Sequence, residues 1–262
     1  MIEVAQFTRK VKTHGLLPAL FYSAEYLVRP LWRKIWIERF LKSYSQRFED
    51  LIIDEILGNK NPGTYLDIGA YDPHRLSNTK RFYDRGWRGC NVEPNPRRFE
   101  RFVQNRPDDI NLNIGLSDSD GKLTFYDVVP EAYSTFSAER VEELKKQGAK
   151  IRGRIEVPVI TMKDLFARYL SETTVDFCTI DTEGLDLRIL EGNDWSKFRP
   201  RVICVEVSLS ERHQEGATEP LSVESFLATV GYVKYKETIE FGVALNEIFV
   251  SEVGHQQFVR QG

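Results

Sequence analysis

The segment Tyr65-Leu-Asp-Ile-Gly-Ala-Tyr-Asp-Pro73, followed by Cys90-Asn-Val-Glu-Pro-Asn-Pro96, limits what this chain can fold into more than any other part of it. An apolar run ends in an acid and a glycine, a helix-compatible stretch follows, and a second apolar run ends in Glu93. That order describes a βαβ unit whose two parallel strands open a crevice at their carboxyl ends. Asp67 and Gly69 would shape the turn after the first strand. Glu93 would accept hydrogen bonds from both hydroxyls of a ribose, because a carboxylate has two acceptor oxygens.

Glycine spacing narrows the ligand. A dinucleotide site needs G-x-G-x-x-G, so that a diphosphate can approach bare backbone at a helix N-terminus. Here Gly69 stands alone, followed by Ala70, Tyr71, Asp72 and Pro73. Asp67 and Asp72 occupy the place of the diphosphate and would repel it. A nucleoside with cationic groups fits better, and S-adenosylmethionine carries a sulfonium and an ammonium and no phosphate. The alternative is that Asp67 and Gly69 only end a strand in a turn.

A length of 262 residues suits one large α/β domain with an appendage. The net charge of −3 excludes a global field favouring nucleic acid. Charge is unevenly spread: residues 1–42 hold eight Lys/Arg against three Asp/Glu, so the remainder carries −8. Cys90, Cys178 and Cys204 sit in apolar, strand-like runs and read as buried free thiols of a reducing compartment. No signal peptide is expected, because Met1–Lys12 lacks a long apolar stretch. No run approaches the ~20 apolar residues of a membrane span. A cytoplasmic protein is expected, with a peripheral membrane contact left open.

Residues 1–42 mix aromatics with Arg and Lys and are broken by Pro18 and Pro30. They predict an N-terminal helical arm, packed on the core or on a homo-oligomer interface. A surface resting on an anionic membrane or a membrane-bound carrier is the alternative. After a helix around Leu51–Leu57, the pattern alternates as in a doubly wound sheet. Strands are expected at Thr64–Gly69, Arg88–Val92, Ile110–Gly115, Val175–Ile180 and Arg201–Val207. Helices are expected at Leu76–Arg85, Pro96–Asn105, Thr161–Leu170, Leu185–Glu191 and Ser222–Val230. Lys122–Val128 is expected to extend the Ile110–Gly115 strand into a hairpin. Residues 122–160 then form an insertion containing the helix Ala138–Gln147. Two closing strands, Tyr232–Ile239 and Val243–Val250, flank a turn at Phe241-Gly242. The fold class is α/β: a doubly wound, seven-stranded, mostly parallel sheet with an antiparallel last strand, as in class I methyltransferases.

With these segments in hand, the chain resembles the FkbM-type family of S-adenosylmethionine-dependent methyltransferases. The resemblance rests on Leu66-Asp-Ile-Gly-Ala70, Val92-Glu-Pro-Asn-Pro96, Gly115-Leu-Ser-Asp118 and Thr161-Met-Lys-Asp-Leu165. Ile180-Asp-Thr-Glu-Gly184, Leu190-Glu-Gly192 and Arg199-Pro-Arg-Val-Ile-Cys-Val-Glu206 complete it, with Tyr44-Ser-Gln-Arg-Phe-Glu-Asp50 as lead-in. It covers about residues 43–208 and departs at Pro73, where members usually carry a small residue. The resemblance implies methyl transfer to oxygen, commonly a sugar hydroxyl of a glycan, glycolipid or antibiotic. It implies Asp67, Gly69 and Asp72 at the methionine end, Glu93 at the ribose, and Leu116, Ser117 and Asp118 at the adenine. Gln46, Ala70, Tyr71, Ser77, Pro94, Asn95 and Asp181 complete the implied cofactor set.

Methyl transfer is an in-line displacement, and a sugar hydroxyl is a weak acid that must lose its proton. Strand ends at Ile180 and Val205 would bring Asp181, Glu183 and Glu206 to the reacting centre. In one mechanism Asp181, or His213 in the following loop, acts as general base. In the other, Asp181 and Glu206 hold a divalent ion such as Mg²⁺. The metal-free form is preferred. Each residue has a plainer reading, Glu183 as a helix-dipole carboxylate and His213 as a solvated loop residue. His74, beside the cofactor turn, could also reach the acceptor.

Acceptor recognition is expected from Tyr126–Arg154 and Ser208–Leu221. Tyr126, Tyr133 and Phe136 could stack on a sugar. Arg140, Lys145, Lys146, Lys150, Arg152 and Arg154 could meet an acidic or phosphorylated glycan, or only form a solvated face. Two other function classes stay open: an NAD-dependent oxidoreductase or epimerase using Glu93 on the ribose, and a non-catalytic binder of cofactor or glycan.

Overall fold

A computed structural model of the chain describes residues 41–206, 222–240 and 243–252. The chain divides into two compact units, Met1–Tyr44 and Ser45–Gly262, and the second contains both β-sheets. Residues 1–40 of the expected arm lie outside the described residues, as do His213, the loop around it and the turn at Phe241-Gly242.

The helix expected around Leu51–Leu57 is α1 (Glu49–Ile56), which buries Ile52, Ile53 and Ile56. The main sheet has seven strands: β1 (Thr64–Ile68), β2 (Arg88–Val92), β3 (Ile110–Leu112), β7 (Phe177–Ile180), β8 (Val202–Glu206), β9 (Tyr232–Glu240) and β10 (Val243–Ser251). Their order is β3-β2-β1-β7-β8-β10-β9. Strands β3, β2, β1, β7 and β8 run parallel, and β10 is antiparallel to both β8 and β9. This is the expected class I methyltransferase arrangement. The sheet reverses direction of growth between β1 and β7, so their carboxyl ends flank the crevice in which such sheets bind ligands.

Both faces of the central strands are buried. Val202 and Cys204 pack on one side with Tyr65, Phe82, Trp87 and Phe177. Ile203 and Val205 pack on the other with Leu66, Ile68, Val92 and Leu165. Period-two alternation between two apolar layers explains why these strands read as unbroken hydrophobic runs. Two helix starts follow from local side-chain chemistry. Asn95 accepts from Arg97 N ahead of α3 (Pro96–Asn105), with proline at the first turn. Thr161 accepts from Asp164 N ahead of α5 (Met162–Tyr169).

Two expectations need correction. The helix expected at Leu76–Arg85 is only α2 (Lys80–Asp84). Leu76 lies at φ +52°, and Ser77 Oγ accepts from Lys80 N and Thr79 N, so residues 70–79 form a loop closed by local side-chain bonds. The hairpin joining Ile110–Gly115 to Lys122–Val128 also does not form. The first run splits into β3 and β4 (Gly115–Ser117), and Asn113 bonds back to the carbonyls of Glu93 and Pro94 between them. The long β6 (Lys150–Thr161) then lies between β4 and β5 (Gly121–Val129), parallel to one and antiparallel to the other. This second, three-stranded sheet carries the insertion, including a 3-10 turn at Glu131–Tyr133 and α4 (Ala138–Lys146).

Candidate active site

Strand β1 gives way to a turn at Gly69, which adopts φ +77°. A Cβ at that position would stand 1.8 Å from the carbonyl oxygen of Asp181, so only glycine lets the ends of β1 and β7 come this close. The amides of Gly69 and Ala70 donate to Val92 O at 3.0 and 3.1 Å, which pulls the turn over the end of β2. A cavity of about 360 Å³ opens there, within the roughly 300–1,000 Å³ typical of small-molecule sites.

Glu93 lies in the cavity wall and is 2% exposed. Its Oε2 accepts from Tyr71 N at 2.9 Å and its Oε1 from Asn95 N at 2.7 Å. Each oxygen keeps a lone pair for a further donor, which is what two ribose hydroxyls require. Burial pushes its carboxyl up to about 7, against the charge of Arg98 and the two amides. Asp67 faces the same space, accepts from Thr79 Oγ1 at 2.7 Å, and is pushed up to about 6, again by burial first.

Across the cavity, Asp181, Glu183 and Glu206 each bring a carboxylate oxygen into a cluster whose members all lie within 4.8 Å of one another. Asp181 is open to the cavity, yet protein walls the other sides, so desolvation dominates its titration. Burial pushes Asp181 up to about 6 and Glu183 to about 8, and raises Glu206 well above the usual carboxylate range. The oxygens of Asp181 and Glu206 lie close enough to share a proton, and burial raises both carboxyls. Glu183 adopts φ +55°, its carbonyl accepts from Thr135 Oγ1 at 2.8 Å, and its carboxylate lies 3.6 Å from Arg140 Nε. Buried Asp186 holds the turn by accepting from Thr182 N and Gly184 N at 3.0 and 3.2 Å. A strained backbone so fully tied is typical of side chains held for use.

Of the residues expected at the cofactor, Gln46, Asp67, Gly69, Ala70, Tyr71, Ser77, Glu93, Pro94, Leu116 and Asp181 line this cavity, together with Glu183 and Glu206. Four expected residues do not line it. Asp72 turns back on its own loop, accepting from His74 N and Arg75 N and pairing with Arg101 at 3.2 Å. Asn95 is spent on the helix cap. Ser117 donates to Asp118 at 3.2 Å, and Asp118 pairs with Arg188 at 2.9 Å on the exposed side. His74 is engaged with Asn105 at 3.0 Å, away from the cavity.

Sequence reasoning missed Asn78, Arg98, Ser134 and Thr182, all of which line the cavity. Arg98 stacks on the Tyr71 ring at 4.6 Å, and its guanidinium donates to the carbonyl of Glu131. Its place two residues after a proline-opened helix was the available signal. Of the aromatics offered for stacking, Phe136 packs edge-on against Phe125 at 5.0 Å, and Tyr126 carries Arg154 over its ring at 5.3 Å. Tyr133 is 42% exposed at the cavity. Three of the six basic side chains named in the insertion form ion pairs: Lys145 with Glu142, Arg152 with Glu131, and Arg140 with Glu143 and Glu183.

The donor set fits a cationic nucleoside. Glu93 lines the cavity at the end of β2, Asp67 brings negative charge beside Gly69 where a phosphate would be repelled, and three further carboxylates converge on the same cavity. The same three carboxylates are the residues that could hold a divalent ion. Among the described residues, no helix is long and apolar enough to cross a membrane.

The family description "Methyltransferase FkbM domain" matches residues 67–234. Among solved structures, a methyltransferase FkbM from Methylobacillus flagellatus KT is 12% identical, with 72% of this chain and 43% of that chain covered and a TM-score of 0.44. A TehB-like SAM-dependent methyltransferase from Corynebacterium glutamicum ATCC 13032 Kitasato is 13% identical, covering 88% of this chain and 98% of that one with a TM-score of 0.40. A precorrin-6y C5,15-methyltransferase from Geobacter metallireducens GS-15 is 13% identical, covering 76% and 84%, with a TM-score of 0.37. The chain thus spans 43% of the length of the first of these structures. No curated protein matches the sequence.

Proposed function

The chain belongs to the methyltransferase FkbM domain family, and we propose that it is an S-adenosylmethionine-dependent O-methyltransferase whose acceptor is a sugar hydroxyl of a glycan, glycolipid or related natural product. The observation that carries this reading is one cavity with a buried, doubly clamped acid at one wall and a cluster of three raised carboxylates at another. When bound, the cofactor supplies an electrophilic methyl on a positively charged sulfur.

The chain's own residues do the rest. Glu93 accepts the ribose hydroxyls, and Asp67 offers negative charge to the methionine end. Asp181, beside Glu206, faces the acceptor hydroxyl and takes its proton as the oxygen attacks. Glu183, pushed to about 8, is the next proton acceptor on this wall, with Arg140 stabilising its ionised form. A carboxyl near neutrality suits proton transfer at working pH better than one near 4. Tyr133 offers an exposed ring for a sugar face at the mouth. The carboxylate partners of Arg140, Lys145 and Arg152 offset their charge, which supports a neutral sugar over a phosphorylated one.

A second reading gives the three carboxylates a divalent ion that lowers the acceptor's pKa, and their convergence within 4.8 Å favours it. Both are tested with methyl-labelled S-adenosylmethionine, a panel of neutral and phosphorylated saccharides, and product analysis, with and without EDTA. Acceptor-dependent transfer that survives EDTA and falls by about 10²–10⁴ in Asp181→Asn supports base catalysis. Loss with EDTA and recovery with Mg²⁺ supports the ion. S-adenosylhomocysteine production with no methylated sugar would overturn the acceptor class.

A further inference from the structure

Arg106 follows the last turn of α3 and is 1% exposed, yet it lines no part of the cavity. Burying a guanidinium costs several kcal/mol, roughly, unless its donors are met. Among the described residues, none of its hydrogen-bond partners is a carboxylate. Its Nη1 donates to Thr79 Oγ1 at 2.6 Å and lies near Tyr65 OH at 3.4 Å and Asn91 Oδ1 at 3.5 Å. Its Nη2 donates to Pro73 O at 2.7 Å and Ser77 Oγ at 2.9 Å, and its Nε has no partner.

Three of these contacts fall in the 70–79 loop, and Thr79 passes the interaction on by donating to Asp67 Oδ2 at 2.7 Å. The loop needs such support. It lacks the glycines that usually make this turn, and both Tyr71 and Leu76 adopt left-handed φ, at +58° and +52°. Non-glycine residues hold that conformation only where their surroundings over-determine it. Pro73 is one of the anchors, through its carbonyl.

We propose that Arg106 is a positioning residue for the cofactor. From behind the cavity it clamps the loop at Pro73, Ser77 and Thr79, and through Thr79 it fixes the carboxylate of Asp67 toward the methionine end. The proposal rests on the cofactor reading given above. Around Asp67 stand Tyr65 on its own strand, Asp109 after α3, Cys90 and Glu93 from β2, and Cys178 and Asp181 from β7. Among these groups and Arg106, only Arg106 is a cation, and its charge together with the Thr79 hydrogen bond opposes the rise that burial imposes on Asp67.

The test uses the full chain with Arg106→Lys, Arg106→Met and Thr79→Val. Affinities for S-adenosylmethionine and S-adenosylhomocysteine are measured by calorimetry from pH 5.5 to 8.5, beside thermal melts. Wild type should bind S-adenosylmethionine with an affinity that falls as Asp67 is protonated. Arg106→Met should bind at least about tenfold more weakly at neutral pH. Its pH midpoint of affinity should move upward, and Arg106→Lys should recover part of the midpoint. Thr79→Val removes the hydroxyl through which Arg106 reaches Asp67 but leaves the Arg106 contacts to Pro73 and Ser77, so it should move the midpoint in a folded protein, which covers a failure of Arg106→Met to fold. A midpoint equal to wild type in Thr79→Val, or wild-type affinity in a folded Arg106→Met, would overturn the positioning role. Absence of binding by wild type itself would overturn the cofactor reading and this proposal with it.

Discussion

Replacing Glu93 by glutamine should make the ligand-free protein more stable and the cofactor site worse. The carboxyl moves from its ordinary 4.5 to about 7, with burial the largest cause. That rise corresponds to about 3 kcal/mol by which the folded state disfavours the ionised form. The sign follows from proton counting. Between 4.5 and 7 the folded state holds a proton that the unfolded chain has released, so stability falls as pH rises through this window and is level above it. Below 4.5 both states are protonated and the penalty vanishes. Glutamine never ionises, but its NH2 must face one of the two donors, Tyr71 N or Asn95 N, which takes back part of the gain. Melts at pH 8 should therefore place Glu93→Gln above wild type by roughly 2–6 °C. That advantage should be gone by about pH 4, where wild type carries a neutral acid at the same place. Cofactor affinity should fall by about 10–100-fold, since two charge-assisted hydrogen bonds become neutral ones. A variant no more stable than wild type at pH 8, or one whose stabilisation persists unchanged to pH 4, would refute the reasoning.

The carboxylate cluster carries a related expectation for turnover. With Asp181 at about 6 and Glu183 at about 8, kcat/KM should rise with pH across that interval, and a profile flat from pH 5.5 to 8.5 would contradict a base in this wall. Gly69→Ala should destabilise the fold by more than about 3 kcal/mol in urea titrations, from the clash with Asp181 O and the left-handed backbone together. Unfolding at the wild-type urea concentration would show that β1 and β7 do not meet as described.

Some of this architecture could be read directly from residue order. The β1, β2, β7 and β8 runs are apolar on both faces because they lie inside the sheet, and the caps at Asn95 and Thr161 are local chemistry. The place of Glu93 in the cavity wall was legible because it depends on one strand end. Failures came where pairing is long-range or orientation decides. Nothing near Lys122–Val129 reveals that β6 will take its edge, so a local hairpin was the natural but wrong expectation. Asp72 and Asp118 have the right residue type beside the right motifs, but Arg101 and Arg188 turn them away, and those partners come from other elements. Arg98 and Arg106 matter through what they meet in three dimensions. At residues 76–85 the helix is delayed to Lys80 by Leu76 at φ +52° and the local bonds of Ser77, which the residue types alone do not reveal.

Calorimetric titration of the wild-type chain with S-adenosylmethionine, S-adenosylhomocysteine and NAD tests the central claim most directly, with Glu93→Ala as the matched control. Saturable one-to-one binding of the first two, no binding of NAD, and loss of both signals in a folded Glu93→Ala are the predicted results. Binding of NAD, or of S-adenosylmethionine at equal affinity in the variant, would contradict the cavity assignment.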